Sequence, residues 1–511
     1  MRLGSSLPSF LLRRWPPLAV AVCLAPIALL AAPECTKTVL WDRKDKGYTS
    51  HFVYGIGVTW DDTILVGCEA RVAGADAGEK DLLLKRSTDH GRTWSDDVVI
   101  EGRDDHHSWS NPTFVTDGLT TYLFYAYTVN TDIGRVYYRT TTDNGLTWSE
   151  RTEITSLWDG NPHGWTQHSS IGHGIKKLKP PHRGMVLIGF HHRGQVALPP
   201  TKRGYGNDVL RLTPNGWEIA GEPPIVPGRG TNEARLAERV DGSLYLMARQ
   251  AAGNNQLRAR TEGTPSGSRW SAWVTQEDLR GTVCDGGLLR FSDTCHLYSF
   301  PSSDAKSAQQ RQDLAIAVSR DGGRTWGAPK LLQRGQATYS DLTRDSEGNI
   351  YCIYGADGSD FMGDRVYLAR FNVEWATGAA APTIVIDDGD AGFRTSGEWR
   401  EVAGAPGAYG RHHHEATAAT AEATWSATNL SGGNYEVFLR WPAVADAAEA
   451  TVDIRVGREV RHSESIRLVK ETATWRYLAT VPVEANGTLE IVLRRAESGP
   501  LIADAVMLQR Q

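Results

Sequence analysis

Three octapeptides limit what this chain can fold into: STDHGRTW from Ser87 to Trp94, TTDNGLTW from Thr141 to Trp148, and SRDGGRTW from Ser319 to Trp326. Each follows a strand-like run, DLLLK, VYYRT or LAIAV. The pattern reads as a hairpin turn in which Asp89, Asp143 and Asp321 fold their carboxylates onto turn amides. Gly91, Gly145 and Gly323 take a left-handed backbone, and the Trp buries against a neighbouring sheet. One copy occurs in any hairpin; repetition at intervals of roughly 40 to 60 residues points to a propeller or a solenoid. Degenerate echoes, VLRLTPNGW ending at Trp217 and RARTEGTPSGSRW ending at Trp270, fill the long gap, and VYLARFN near Phe371 supplies a last outer strand. Six units follow, and the expected fold is all-β, a six-bladed β-propeller.

At 511 residues the chain is long enough for a second domain, and its formal charge of -5 with no basic cluster argues against a nucleic-acid partner. Arg13 and Arg14, an apolar stretch from Leu18 to Leu30, and Ala31-Ala32 read as a signal peptide over 1–32. Neither Cys23 nor Cys35 sits in a lipoprotein cleavage context, and no other stretch is apolar enough to span a bilayer. A soluble protein, secreted or periplasmic, is expected, without membrane insertion and as a monomer. Cys35, Cys68, Cys284, Cys295 and Cys352 remain after cleavage, an odd number, so at least one thiol is free within the chain. Cys284 and Cys295 either close a hairpin as a disulfide or stay as two buried thiols.

The segment EWATGAAAPT changes the composition to Ala, Gly and Pro and reads as a linker. The expected boundaries are a propeller over 33–374, a linker over 375–383 and a small antiparallel β-sandwich over 384–511, where NYEVFLRW, ATVDIRV, WRYLATVPV and TLEIVLRR alternate apolar and polar residues. Those segments, with the closing IADAVMLQ, resemble the golvesin C-terminal-like domain found beside xanthan lyases, which implies carbohydrate binding. Trp399, Tyr409, Trp425, Trp441 and Trp475 are candidate sugar platforms, with burial in the core as the competing role. The run RHHHE from Arg411 to Glu415 invites a metal reading. Three adjacent histidines on a strand cannot all face one ion, so a solvated loop is expected, and no metal ligand or cofactor is assigned.

The repeated word is the Asp box, and the segment from Thr36 to Asn372 resembles the exo-α-sialidase superfamily, in which the boxes lie on outer turns and the chemistry lies elsewhere. TNEARLAERVDGSLYLMAR resembles the family's NE…DG…R segment, which implies Glu233 as the pocket glutamate and Arg249 as a carboxylate-binding arginine. Arg311 stands eight residues before its Asp-box serine, the family's spacing for another such arginine. ATYSDL resembles the strand carrying the nucleophile, which implies Tyr339. Asp76 lies ten residues before Arg86, where the family keeps its acid/base aspartate. Asn111 stands where many members carry Asp.

The chemistry implied by the resemblance needs these residue types. A sialic acid carries its carboxylate on the anomeric carbon and repels an anionic nucleophile. A neutral phenol avoids that repulsion, but with an ordinary pKa near 10 it needs a base, here Glu233. Asp76 would protonate the leaving oxygen and then activate water, while Arg249 and Arg311 grip the carboxylate.

One departure stands out. The family's first arginine falls on SHFVYGIGV, where this chain has His51 and Phe52, and the glutamate that pairs with it falls on Tyr354-Gly355. Arginine and partner are missing together, and loss of one charged hydrogen bond weakens carboxylate binding by about ten- to a hundredfold. His51, Arg71 and Arg193 are the cations that could fill the corner beside Phe52. Three functions stay open: a retaining glycosidase on sialic acid or a related acidic sugar, a polysaccharide lyase on uronate glycans, and a non-catalytic glycan-binding propeller. The lyase reading rests on DDHHSW, HGWTQHSSIGHG and GFHHRG, whose His106, His107, His191 and His192 would otherwise rim the pocket and bind hydroxyls.

Overall fold

The Asp-box turns are built by local hydrogen bonds. In the first, the Thr93 amide and hydroxyl donate to Asp89 at 2.8 and 2.6 Å, the Gly91 amide donates to Ser87 Oγ at 2.9 Å, and Gly91 has φ 78°. The copies at Asp143 and Asp321 repeat these bonds, with Gly145 at φ 80° and Gly323 at φ 77°. A Cβ at those angles is strained, so glycine is required. The computed structural model describes residues 32–43, 45–72, 76, 78–103, 108–128, 134–194, 204–226, 230–251, 256–304, 309–379 and 382–511. The expected signal peptide up to residue 31, and His106 and His107, lie outside the described residues.

Ahead of residue 373 the described strands pair antiparallel, except that Gly172–His173 runs parallel to Trp109–Asp117. One four-stranded sheet contains Ser50–Val58, Ile64–Arg71, Lys80–Ser87 and Val98–Glu101; another contains Thr231–Glu238, Leu244–Gln250, Leu257–Gly263 and Val274–Arg280. Two five-stranded sheets lie between them in sequence, around Trp109–Asp117 and Val186–Arg193. A seven-stranded sheet runs from Gly287–Ser292 to Arg365–Phe371, with the long strand Lys330–Arg344 near its middle, and the N-terminal strand Cys35–Asp42 completes its edge against Arg365–Phe371. A long strand of each sheet packs on a neighbouring sheet. Ser50–Val58 touches Trp109–Asp117 and Lys330–Arg344, Val186–Arg193 touches Thr231–Glu238, and Thr231–Glu238 touches Gly287–Ser292. Glycine permits the close approach: a Cβ on Gly55 would sit 2.1 Å from the Pro112 carbonyl oxygen.

The expected linker is partly a helix, Val373–Thr377. The Asn372 side chain caps it by accepting from the Trp375 amide, Gly378 ends it at φ 71°, and Val373, Glu374 and Ala376 are buried. Its capping residues and apolar face tie it to the sheet before it. Beyond it, Thr383–Ile386, Ala505–Arg510, Gly433–Arg440 and Arg476–Val483 form one sheet, and Phe393–Ser396, Glu422–Leu430, Gly487–Arg495, Glu449–Val456 and Glu459–Arg467 form another. Both contribute to one core around Trp425, Val437, Trp441, Ile454 and Leu508. Trp425 and Trp441 are fully buried there, so they are not sugar platforms. Trp399 packs at the edge of that core, and Trp475 and Tyr409 meet edge-on, 5.6 Å apart between ring centres, beside Arg440 and against the N-terminal sheets.

Ala31–Gln511 form one compact unit, and the contact between its two parts is charged and buried. Lys179 Nζ donates to Asp293 at 2.7 Å and to Glu436 at 3.1 Å, and Arg290 Nη2 reaches Glu436 and Asp293 at 2.5 Å each. Glu436 is completely buried. Arg440 donates to the Trp60 carbonyl oxygen. The five cysteines among the described residues are free thiols, and Cys284 and Cys295 are both buried. Arg411–Glu415 is not a solvated loop: His412–Ala416 is a strand, and His413 is buried. Among the described residues no helix is long and apolar enough to cross a membrane.

Candidate active site

Four inner strands carry a β-bulge at the same end. The registers slip between Phe52 and Tyr54, Ser110 and Thr113, Thr231 and Ala234, and Ala337 and Ser340. Val53 and Asn111 sit at φ 54° and 57° in two of these bulges. A bulge re-aims a side chain that regular alternation would send elsewhere. Here the bulged residues include Glu233 and Tyr339 and adjoin Phe52.

The Tyr339 hydroxyl donates to Glu233 Oε1. Arg249 Nη1 donates to the Tyr339 hydroxyl oxygen at 2.7 Å and to the two Glu233 carboxylate oxygens at 3.1 and 2.9 Å. Arg249 comes from the strand paired with that of Glu233. The Arg311 guanidinium lies 5.0 Å from the Tyr339 ring centre, and its Nη1 donates to Thr338 Oγ1 at 3.1 Å. Arg249 Nε and Arg311 Nε are buried with no hydrogen-bond partner among the described residues, donors that an anion could take up.

Burial and the adjacent Glu233 charge push the Tyr339 pKa well above its ordinary value, against Arg249 and Arg311. Burial works against ionised Glu233, but Arg249, His191 and the Tyr339 hydrogen bond outweigh it and bring its pKa down to about 2. The pair is therefore a phenol beside a carboxylate, the state in which one can give a proton to the other.

Phe52 occupies the wall beside Tyr339, 5.0 Å away between ring centres, with Phe361 5.7 Å on the other side. The Arg71 guanidinium lies 4.8 Å from the Phe52 ring centre. It is held by Glu69 through Nε at 2.9 Å and Nη2 at 2.6 Å, and it donates to Asp76 at 3.1 Å. Asp76 is thus joined to the site through Arg71, with its side chain 83 % exposed. Desolvation works against its ionisation, yet Arg71 and Lys80 hold its pKa below the ordinary carboxyl value. Asn111 enters through its backbone, whose amide donates to Glu69 Oε1 at 3.2 Å.

His51 is not at this corner. It packs behind the strand, 6.0 Å from Trp41 and 5.5 Å from Tyr48 between ring centres, where burial lowers its pKa to about 4. Adjacent residues of a strand face opposite ways, so Phe52 at the pocket sends His51 into the sheet packing. His192 is no rim residue either: it is fully buried against Trp165 and His168, with Asp208 at 3.2 Å. His191 bonds to Ser169 Oγ at 3.0 Å, and burial lowers its pKa to about 4. Arg193 is engaged by Gln167 Oε1.

Sequence reasoning missed the layer beneath. Arg235 pairs with Asp285, and Asp341 accepts from His173 Nδ1 at 3.0 Å. Arg235 and Asp341 stand two residues after Glu233 and Tyr339, and that period of two was the available signal. The site's acceptors thus rest on a buried ionic floor that fixes their strands.

A cavity of about 330 Å³ lies elsewhere, lined by Val58, Thr116, Glu238, Arg344, Arg440 and Trp475. Val58, Glu238 and Arg344 are at the far ends of the strands that carry Phe52, Glu233 and Tyr339. Tyr339 to Arg344 is a rise of about 16 Å along an extended strand. The cavity is therefore the junction with the C-terminal sheets, on the side away from the tyrosine.

Residues 63–352 match the BNR repeat-like domain, and residues 384–510 match the Golvesin C-terminal domain. A sialidase of Micromonospora viridifaciens is 27% identical over 397 residues, covering 72% of this chain and 58% of that protein. An exo-alpha-sialidase of Arthroderma benhamiae is 25% identical over 346 residues, 59% of this chain and 77% of its own. The fold is similar to that of the Trypanosoma rangeli sialidase, with a TM-score of 0.53 at 14% identity over 94% of this chain and 96% of that one.

Proposed function

Since the chain belongs to the BNR repeat-like domain family within the sialidase superfamily, and carries a Golvesin C-terminal domain, we propose that it is a retaining exo-glycosidase that removes sialic acid or a related acidic sugar from glycan termini. The contact that carries this reading is the Tyr339–Glu233 hydrogen bond with Arg249 on both partners. On this reading the N-terminal sheets are the blades of a six-bladed propeller, the C-terminal sheets are a β-sandwich, and residues 1–32 direct export.

The steps follow from the charges. Tyr339 Oη forms a bond to the anomeric carbon while its proton passes to Glu233. The glycosidic C–O bond breaks with its electron pair on the aglycone oxygen, which takes a proton from Asp76. Asp76 then removes a proton from water, the water oxygen bonds to the anomeric carbon, and Tyr339 leaves and recovers its proton from Glu233. Two displacements give retention. Arg249 and Arg311 hold the substrate carboxylate with charge-assisted bonds, and Arg249 also steadies the phenolate oxygen as it leaves. Arg71 stands where a third clamp would be, but Glu69 already engages it twice. The Phe52–Phe361 wall favours an acidic sugar that presents an apolar face there.

Digestion of a glycan panel with mass analysis of the products tests this. Release of a terminal acidic monosaccharide, first seen in the substrate's anomeric configuration, is expected. An unsaturated uronate product would assign a lyase instead, and no product from any glycan would leave a binding protein.

A further inference from the structure

In the strand His412–Ala416, alternation puts His412 and His414 on one side and His413 on the other. His412 and His414 both reach Asp388, just beyond the strand Thr383–Ile386. His414 Nδ1 lies 2.6 Å from Asp388 Oδ2, His412 Nδ1 2.5 Å from Asp388 Oδ1, and His412 Nε2 3.5 Å from Asp387 Oδ2. The Asp388 carboxylate is completely buried.

We propose that Asp387, Asp388 and His412 bind a divalent transition-metal ion of the Zn²⁺ or Mn²⁺ type. One ligand atom from each of the three lies within 4.8 Å of the others. Asp387 Oδ1, Asp388 Oδ1 and His412 Nδ1 are buried, and none has a hydrogen-bond partner among the described residues. The approach of His412 Nδ1 to Asp388 Oδ1 therefore lacks hydrogen-bond geometry despite its shortness. Buried polar atoms are nearly always satisfied, and acceptors converging without a donor are satisfied by a cation. One imidazole with two carboxylates is a borderline nitrogen–oxygen set, suited to Zn²⁺ or Mn²⁺; Ca²⁺ and Mg²⁺ favour oxygen alone.

The surroundings fit such a site. His414 bonds to the other oxygen of Asp388 and so acts as a positioning residue, as outer-shell partners do at metal sites. Gly410, at φ 60°, leaves room: a Cβ there would stand 2.5 Å from Asp387 Oδ2. The ion would tie the first C-terminal strand to His412–Ala416, next to Arg411, which pairs with Asp61 of the N-terminal sheets at 3.3 Å. This staple is independent of the glycosidase reading.

The test uses the full chain, stripped with a chelator and titrated calorimetrically with ZnCl₂ or MnCl₂ alone. One ion per chain is expected, with a rise in unfolding temperature. His414→Ala should weaken binding by roughly ten- to a hundredfold. Asp388 is buried and its replacement endangers folding, so His412→Gln, at a side chain 30 % exposed, is the deciding variant. It should fold, lose the ion and lose the temperature shift. Undiminished binding in that variant, no binding in the parent chain, or preference for Ca²⁺ or Mg²⁺ would overturn the proposal.

Discussion

The Tyr339 hydroxyl donates to Glu233 across two strands from different sheets. If that proton moves during the reaction, Tyr339→Phe and Glu233→Gln should each lower kcat by at least about 10² to 10⁴. Circular dichroism and thermal unfolding should stay close to those of the parent chain, because each replacement keeps the shape of the side chain. Turnover undiminished in Tyr339→Phe would remove the tyrosine from the chemistry.

Arg311 Nε has no hydrogen-bond partner among the described residues, while Arg71 is engaged by Glu69. Arg311→Ala should therefore cut kcat/KM on an acidic sugar by about ten- to a hundredfold. The same change should matter little for a neutral glycoside. Parallel kinetics on a carboxylated substrate and its methyl ester would read the difference; equal losses on both would show that Arg311 does not grip a carboxylate.

Asp76 must be protonated to act as an acid, yet Arg71 and Lys80 depress its pKa in the free protein. The protonated fraction falls as pH rises through and above that pKa. Thus kcat/KM should decline from the acidic range toward neutrality, with the optimum on the acid side. Asp76→Ala should lose about 10² to 10⁴ on a sugar aglycone and far less on a nitrophenyl aglycone, which leaves without protonation. Stopped assays across pH on both substrates would check this.

Glu436 faces both Lys179 and Arg290 at the junction. Glu436→Ala leaves buried cations short of a partner and should cost about 3 to 5 kcal/mol, read as a lower urea midpoint. Truncation before Thr383 should likewise destabilise the N-terminal sheets and, through them, depress turnover even on small substrates. A simple tethered binding module would leave that turnover intact.

The parts of this protein legible in its sequence are those made by neighbours in the chain. The Asp box declares itself because Asp89, Gly91 and Thr93 bond within a few residues, and Glu233, Arg249, Arg311 and Tyr339 lie in motifs whose spacing survives on the page. What stayed hidden depends on long-range placement. His51 and Phe52 are adjacent letters on opposite faces of a strand, and only the bulge at Val53 decides which faces the tyrosine. The His412–Asp388 approach joins a run that reads as a solvated loop to a separate segment that carries no metal signal of its own. The charged junction at Glu436 draws on three separate stretches, none of which advertises a partner.

The pairing of Cys35–Asp42 with Arg365–Phe371 bears on how the protein comes into being. The N-terminal strand waits for a partner more than three hundred residues later in the chain, so the seven-stranded sheet stays unsealed until the last of the N-terminal sheets has been made. Contacts this distant in sequence are slow to form, because closing a long loop must precede any gain from the pairing. During that interval the waiting strand is an open edge, able to pair with another molecule. Refolding yield should accordingly fall with protein concentration, which recovery of native circular dichroism across a dilution series would check.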